Sequence, residues 1–500
     1  MDTNPEPFES LDLDPEEFRK LGYRSVDMIT DYYASIRELP VFPNSTSVEV
    51  EEVFRENLPE TGQDPQHILD EWQSKVLPYT THLGSPRYFG FVNGSGTMIG
   101  TLAEALAASV NMNTGGWKPA PAATEIERQT IAWMAELIHY PTDCGGLFTS
   151  GGTMANFTAL QTALRNIAPY DTTVKGLQNK AFSGRFTVYM SDHEGHISIV
   201  RAADLLNLGR ESIRLVKSRE DFTMDTQDLE QKLDEDIAQG DVPFCVVGQV
   251  GSINVGAIDP LVEIAEICRQ RGIWFHADGA CGAVGAMLPE KRPQYQGLEL
   301  ADSVTLDPHK WLYIPYECGC VLVRYPEKLR RAFSLTAPYL RGTLPSDYTG
   351  LWYLDYGPQM SRGFRALKVW MSLKHYGAEG YRNLLSQNIR CVEYLDACVR
   401  RDKDFEPLHK PNLLMYCFRY APRDLRQRWD DPETLNDYLD QLNQQIADEI
   451  QRSGVAFIMT SRIRGRVIIR LSVCSHRTTP EDIDIVLAKL KEIGEKLIRM

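Results

Sequence analysis

Ile273-Trp274-Phe275-His276-Ala277-Asp278-Gly279-Ala280-Cys281-Gly282 and, further on, Ser303-Val304-Thr305-Leu306-Asp307-Pro308-His309-Lys310-Trp311-Leu312 decide the fold. Each opens on a short apolar run that reads as a buried strand, and each then delivers a chemical group, Asp278 in one case and Lys310 in the other. Working outward, further apolar runs at Phe186 to Met190, Phe244 to Val250 and Cys320 to Val323 alternate with helical patterns such as Pro260 to Arg271. Strands alternating with helices predict an α/β domain with a mainly parallel sheet flanked by helices. Ligands of such sheets bind beyond the carboxyl ends of the strands. Asp192, Ser252, Asp278 and Lys310 all fall there.

An acid and a lysine on neighbouring strand ends suit pyridoxal 5'-phosphate. The lysine condenses with the cofactor aldehyde, and the acid holds a proton on the pyridine nitrogen through a charge-assisted hydrogen bond, so that the ring accepts electrons from a breaking bond. A structural ion pair would leave the strand-end placement and the flanking His309 and Trp311 without a reason. Thr149-Ser150-Gly151-Gly152-Thr153 precedes a strongly helical stretch, Met154 to Arg165. Free backbone N–H groups at a helix start, with hydroxyls beside them, suit a phosphate. The loop lacks the Gly-Lys-Ser/Thr ending of a nucleotide-binding P-loop.

The segments SPRYFGFVNGSGT, WKPAPAATEIE, TSGGTMANFTAL, SDHEGHISIVRAADLL, HADGACG, DPHKWLYIPYECG and SRGFRALKVW stand in that order along the chain. In them the sequence resembles the group II pyridoxal phosphate-dependent amino acid decarboxylases. Trp311-Leu312 after the lysine is closer to the aromatic-L-amino-acid branch (tyrosine, tryptophan and DOPA decarboxylases) than to the glutamate branch. The resemblance implies fold type I and a homodimer whose N-terminal segment crosses the partner. It also implies that Gly152 and Thr153 cradle the phosphate with His309, that Ala280 lets the ring lie flat, and that His196 stacks on the ring. One extra residue between Asp192 and that histidine makes His193 a rival. Ser252 stands in a loop that departs from the usual Thr-rich one and is a candidate contact to phosphate or ring. Asp307 replaces the Asn usual in aromatic enzymes and receives no role. Tyr339, in a stretch that reads as a loop, aligns with the tyrosine that returns a proton after carbon dioxide leaves.

The implied activity is decarboxylation of an aromatic L-amino acid. Phe91, Asn113, Gly115, Trp117 and Ser361 are the candidate substrate contacts. Serine at 361 favours a phenol over an indole, whereas Gly115 and Asn113 replace bulky apolar side chains and enlarge the pocket. Tyrosine, DOPA and phenylalanine are therefore favoured only modestly over tryptophan. An aldehyde synthase, an aminotransferase, a decarboxylase of a non-aromatic amino acid and a non-catalytic binding protein are the rival readings.

Five hundred residues exceed one ordinary core, and the pattern divides into three: 1–84 helical and without an obvious core of its own, 85–376 the large α/β domain, and 377–500 a small α+β domain. Asp14 caps a helix with Pro15 at its first position and Glu17 at the capping-box position. After 376 we expect a helix, a strand at Leu413 to Arg419, a helix at Pro432 to Arg452, strands at Val455 to Thr460 and Val467 to Val473, and a helix at Pro480 to Ile498. A net charge of −15, from 53 Lys+Arg against 68 Asp+Glu, argues against nucleic acid and anionic membranes as partners. No apolar run is long enough to span a bilayer, and the acidic start lacks a signal-peptide core. The ten cysteines are scattered, match neither a zinc site nor a disulfide framework, and read as reduced thiols of a cytoplasmic protein. We expect no metal.

Overall fold

The computed structural model describes residues 11–335, 350–429 and 431–499. Seven strands build the central sheet: β1 (Gly145–Thr149), β2 (Phe186–Ser191), β3 (Ile213–Val216), β4 (Val242–Gln249), β5 (Trp274–Asp278), β6 (Ser303–Leu306) and β7 (Gly319–Val323). Their order is β1-β7-β6-β5-β4-β2-β3. Pairs β2–β3, β2–β4, β4–β5 and β5–β6 are parallel, and β7 runs antiparallel to β1 and β6. The expected α/β architecture is therefore what the chain adopts.

Both faces of this sheet are covered. Val246, Phe275, Ala277 and Val304 enter one apolar cluster, and their strand neighbours Cys245, Val247 and Trp274 enter another on the opposite face. That is why these strands read as continuous apolar runs without polar alternation. β1 and β3 escaped the sequence reading for local reasons. β1 opens on two glycines, which weaken a strand signal, and β3 has only Val216 fully buried among its four residues.

The N-terminal segment carries helices Pro15–Ser35, Ser47–Phe54 and Pro65–Glu71. Asp14 caps the first by accepting from Glu16 N and Glu17 N. Leu21 is the only buried residue of that helix, and the next two bury none. Arg37 and Arg87 both reach the buried carboxylate of Asp482 and so tie this segment to the C-terminal part of the chain.

The helix Ala366–Arg401 begins before the expected boundary and is broken at Gly377, whose φ of 65° is left-handed backbone that glycine accepts without strain. Beyond it a four-stranded antiparallel sheet has the order β10-β11-β9-β8, with β8 Phe405–Pro407, β9 Met415–Tyr420, β10 Met459–Ile463 and β11 Arg466–Ser472. Helices Pro432–Arg452 and Pro480–Arg499 share its apolar cluster. The run expected as a strand from Val455 pairs elsewhere at first. Phe457 bridges Tyr88 in parallel, and Phe89 N donates to Phe457 O at 2.8 Å. The chain around Tyr88 is joined there to the stretch that leads into β10.

Candidate active site

β5 and β6 pair in parallel with Asp278 opposite Thr305, so the turn Asp307–Lys310 leaves the sheet beside Asp278. A cavity of about 290 Å³ opens at these strand ends. Of the residues expected from the sequence, Gly152, Thr153, His196, Ala280, His309 and Lys310 line it. Asn156, Ser198 and Asp307 line it too and had been given no role. Ala280 N donates to Asp278 Oδ1 at 3.2 Å, and Asn156 Nδ2 donates to Asp278 Oδ2 at 3.0 Å, so the buried carboxylate is held from two sides.

Lys310 Nζ lies 3.2 Å from Asp307 Oδ2 and 3.6 Å from Cys281 Sγ. Burial works to depress the Lys310 ammonium, but Cys281, Asp307 and Asp278 around it outweigh burial and raise its pKa. Burial raises the Cys281 thiol. His309 Nδ1 accepts from Cys318 N at 3.0 Å, which leaves Nε2 3.6 Å from Asp307 Oδ2. Its ring stacks on Tyr316 with centroids 4.4 Å apart. Burial lowers the pKa of both His309 and His196, which favours the uncharged rings.

These residues fit pyridoxal phosphate. The helix Gly152–Ile167 starts at the cavity with no side-chain cap, so its first N–H groups remain open to an anion. Gly152 is required there, because a Cβ would meet Asp307 Oδ2 at 2.7 Å. Asp278 lies behind the lining residues Asn156 and Ala280, which both donate to it, and Lys310 lines the cavity itself. Asp307 is the discordant member, its buried Oδ1 having no hydrogen-bond partner.

Other expectations meet different surroundings. Ser252 is buried, its Oγ accepts from Ala257 N at 3.0 Å, and it is not part of the cavity lining. His193 is half exposed and lies 3.8 Å from Asp192 Oδ2, while His196 lines the cavity. Tyr339 lies outside the described residues.

Asn113, Gly115 and Ser361 form a second group. Asn113 Oδ1 accepts from Gly115 N and Arg362 N, both at 3.0 Å, and a Cβ on Gly115 would meet Met360 O at 2.4 Å. Both residues are thus accounted for by the close approach of the 360–362 backbone, and the space beside Gly115 is filled by that backbone. Arg362 itself is buried, its guanidinium donating to the equally buried Glu127 carboxylate. Phe91, Trp117 and Ser361 are exposed, and none of them lines the 290 Å³ cavity.

The network behind Asp278 was missed, although one signal pointed to it. His276 stands two residues before Asp278 on the same strand and so shares its face. All ten cysteines are free thiols. Among the described residues no group of His, Cys, Asp and Glu could hold a metal ion, and no helix is long and apolar enough to cross a membrane.

Residues 48–421 match the family model described as the pyridoxal-dependent decarboxylase conserved domain. The chain is 33% identical over 489 residues to an aromatic-L-amino-acid decarboxylase of Bacillus atrophaeus, covering 98% of each chain. It is 28% identical to a phenylacetaldehyde synthase of a Rosa hybrid cultivar, over 94% of this chain and 92% of that one. The crystal structure of Oryza sativa TDC with PLP and tryptamine superposes with a TM-score of 0.88 at 24% identity, covering 98% of this chain and 100% of that one.

Proposed function

Since this chain belongs to the pyridoxal-dependent decarboxylase family, we propose that it decarboxylates an aromatic L-amino acid to the amine, taking tyrosine, DOPA or phenylalanine modestly ahead of tryptophan. It is a pyridoxal phosphate-dependent carboxy-lyase on a fold type I scaffold. The observation that supports the residue assignments is one cavity lined by Lys310, by an uncapped helix N-terminus, and by Asn156 and Ala280, the two donors to Asp278.

When bound, pyridoxal phosphate supplies an aldehyde for the substrate amine and a protonated ring that accepts the electrons of the bond broken at Cα. Gly152 and Thr153 at the helix start, with His309 Nε2, hold the phosphate. Asp278 holds the proton at the ring nitrogen, and its two donors, Asn156 Nδ2 and Ala280 N, fix the carboxylate plane in which it does so. His196, in the cavity wall, would cover the ring and keep water from it. Lys310 Nζ, in the same wall, would hold the cofactor through its aldehyde when substrate is absent. To Tyr339 we assign the return of the proton to Cα, relayed by His196. Retention of both residues favours amine over aldehyde, because a carbanion protonated quickly is not intercepted by oxygen.

We also assign a homodimer. Met98, Leu102, Leu106 and Val110 form an exposed stripe at four-residue spacing along the helix Met98–Val110, and Phe18, Tyr23 and Val26 are exposed on the first helix. Phe91, Trp117 and Ser361 are candidate substrate contacts that one protomer leaves open, so a partner surface would complete their pocket.

The test is kcat/KM on tyrosine, DOPA, phenylalanine and tryptophan, scoring carbon dioxide, amine and peroxide together, before and after Ser361→Gly. One group in a pocket discriminates by about 1–3 kcal/mol, so the natural protein should use several of these acids and the variant should move toward tryptophan. Strong preference for tryptophan or glutamate would defeat the substrate assignment, and peroxide equal to product would place the chain with the aldehyde synthases.

A further inference from the structure

A chain of buried hydrogen bonds runs from the far end of β5 to the cavity, and its polarity can be read. Trp274 Nε1 meets Ser303 Oγ at 2.8 Å, and an indole N–H can only donate. Ser303 Oγ accepts there and keeps its own proton free to donate to His276 Nδ1, 2.8 Å away, the direction that the Asn156 contacts require. His276 is fully buried, and burial pushes its pKa down to about 4, so the ring is neutral and carries one proton. With Nδ1 accepting, that proton is on Nε2 and goes to Asn156 Oδ1 at 3.0 Å.

The carbonyl of Asn156 is thereby turned toward His276, and its NH2 group faces the cavity side. It donates to Asp278 Oδ2 at 3.0 Å and to Ser198 Oγ at 2.8 Å. Ser198 then has its hydroxyl proton for His196 Nδ1 at 2.8 Å, which also accepts from Ser198 N at 3.3 Å. The opposite tautomer of His276 would turn the Asn156 carbonyl onto the Asp278 carboxylate, acceptor against acceptor, and leave a buried amide unsatisfied.

We infer that Trp274, Ser303 and His276 are positioning residues that act through Asn156, one directional relay setting both the Asp278 carboxylate and the Nε2–H tautomer of His196. This rests on the roles given above to Asp278 and His196. It goes beyond them by naming what orients the two groups and by tying them to a single donor at the end of β5 far from the cavity. No residue of the relay other than His196 and Asp278 need touch cofactor or substrate.

The direct test is ¹⁵N NMR of the full-length holoprotein labelled at histidine, with His276→Gln and His196→Gln used to assign the signals. The expected result is a protonated Nε2 and a bare Nδ1 for both rings from pH 8 down to pH 6. A protonated Nδ1 on His276 would overturn the inference. The second measurement titrates protein stripped of cofactor with pyridoxal phosphate and follows intrinsic fluorescence and the visible band. Ser303→Ala should weaken binding roughly tenfold and shift the pH dependence of the band, and Ser303→Thr, which keeps the hydroxyl, should restore both. Unchanged affinity and band in Ser303→Ala, or equal losses in Ala and Thr variants, would overturn it. The tautomers are read without reference to turnover, so a failure of the decarboxylase reading and a failure of this one are separable.

Discussion

At the scale of the residue, Asp307 departs most from what the site needs. It pairs with Lys310 through Oδ2, while Oδ1 is buried without a partner beside the Gly152 turn. If Lys310 holds the cofactor aldehyde as proposed, it would no longer offer Asp307 a free ammonium, and the carboxylate would face the proposed phosphate site. Asn is isosteric and can donate. Asp307→Asn should therefore bind pyridoxal phosphate more tightly, by roughly tenfold, the size of one hydrogen bond to a charged group. Fluorescence titration of the stripped protein reads this, and weaker binding would mean that the pair with Lys310 matters more than the repulsion. His476 gives a pH prediction. It is buried beside Arg477, and burial first, then that charge, pushes its pKa down to about 3 from an ordinary 6.5. The unfolded chain takes up this proton before the folded one, so the stability it contributes is complete above about pH 6.5 and is lost as pH falls toward 3. Between pH 7 and pH 5 the loss is about 2 kcal/mol. In His476→Gln, urea unfolding at the two pH values should differ by that much less than in the natural protein. Equal differences in the two proteins would show that His476 titrates normally when folded.

At the scale of the element, most of the fold was legible because the sheet is covered on both faces and its strands are apolar throughout. Ser303–Leu306 and the helix Pro432–Arg452 have the bounds that the sequence implies. A proline at the first helical position marks a helix start without ambiguity. Elements fixed by tertiary pairing were not legible. The short edge strand Phe405–Pro407 ends in proline, and within Val455 to Ile458 it is Phe457 that bridges Tyr88, a choice no local pattern announces. The acid and the lysine were legible as strand-end residues. Asn156 was not, because its role depends on a helix face meeting a neighbouring strand across a sheet. Gly115 shows the same limit. Its small size read as room for substrate, whereas the 360–362 backbone occupies that room. Gly115→Ala should lower the melting temperature by about 1–3 °C, since overpacking against backbone costs about 1–3 kcal/mol and the unfolding entropy of a chain of this length is about 1 kcal/mol/K. A variant of unchanged melting temperature and altered substrate preference would restore the pocket reading.

At the scale of the whole molecule, the N-terminal helices bury almost nothing of their own, and the stripe Met98, Leu102, Leu106 and Val110 lies open beside them. Apolar surface grouped in this way marks an interface. Sedimentation should give twice the 56.7 kDa chain mass, and Leu102→Glu with Leu106→Glu should shift the protein to monomer with loss of activity. An active natural monomer would contradict the assignment. If this cavity, through Lys310, removes the carboxyl group of an aromatic amino acid, the label of carboxyl-labelled tyrosine or phenylalanine should leave as carbon dioxide. With the natural protein, counting labelled carbon dioxide against amine should give one carbon dioxide per amine and little peroxide, and Lys310→Ala should give neither product. Exchange of the amino group with the label retained, or undiminished carbon dioxide from Lys310→Ala, would contradict it.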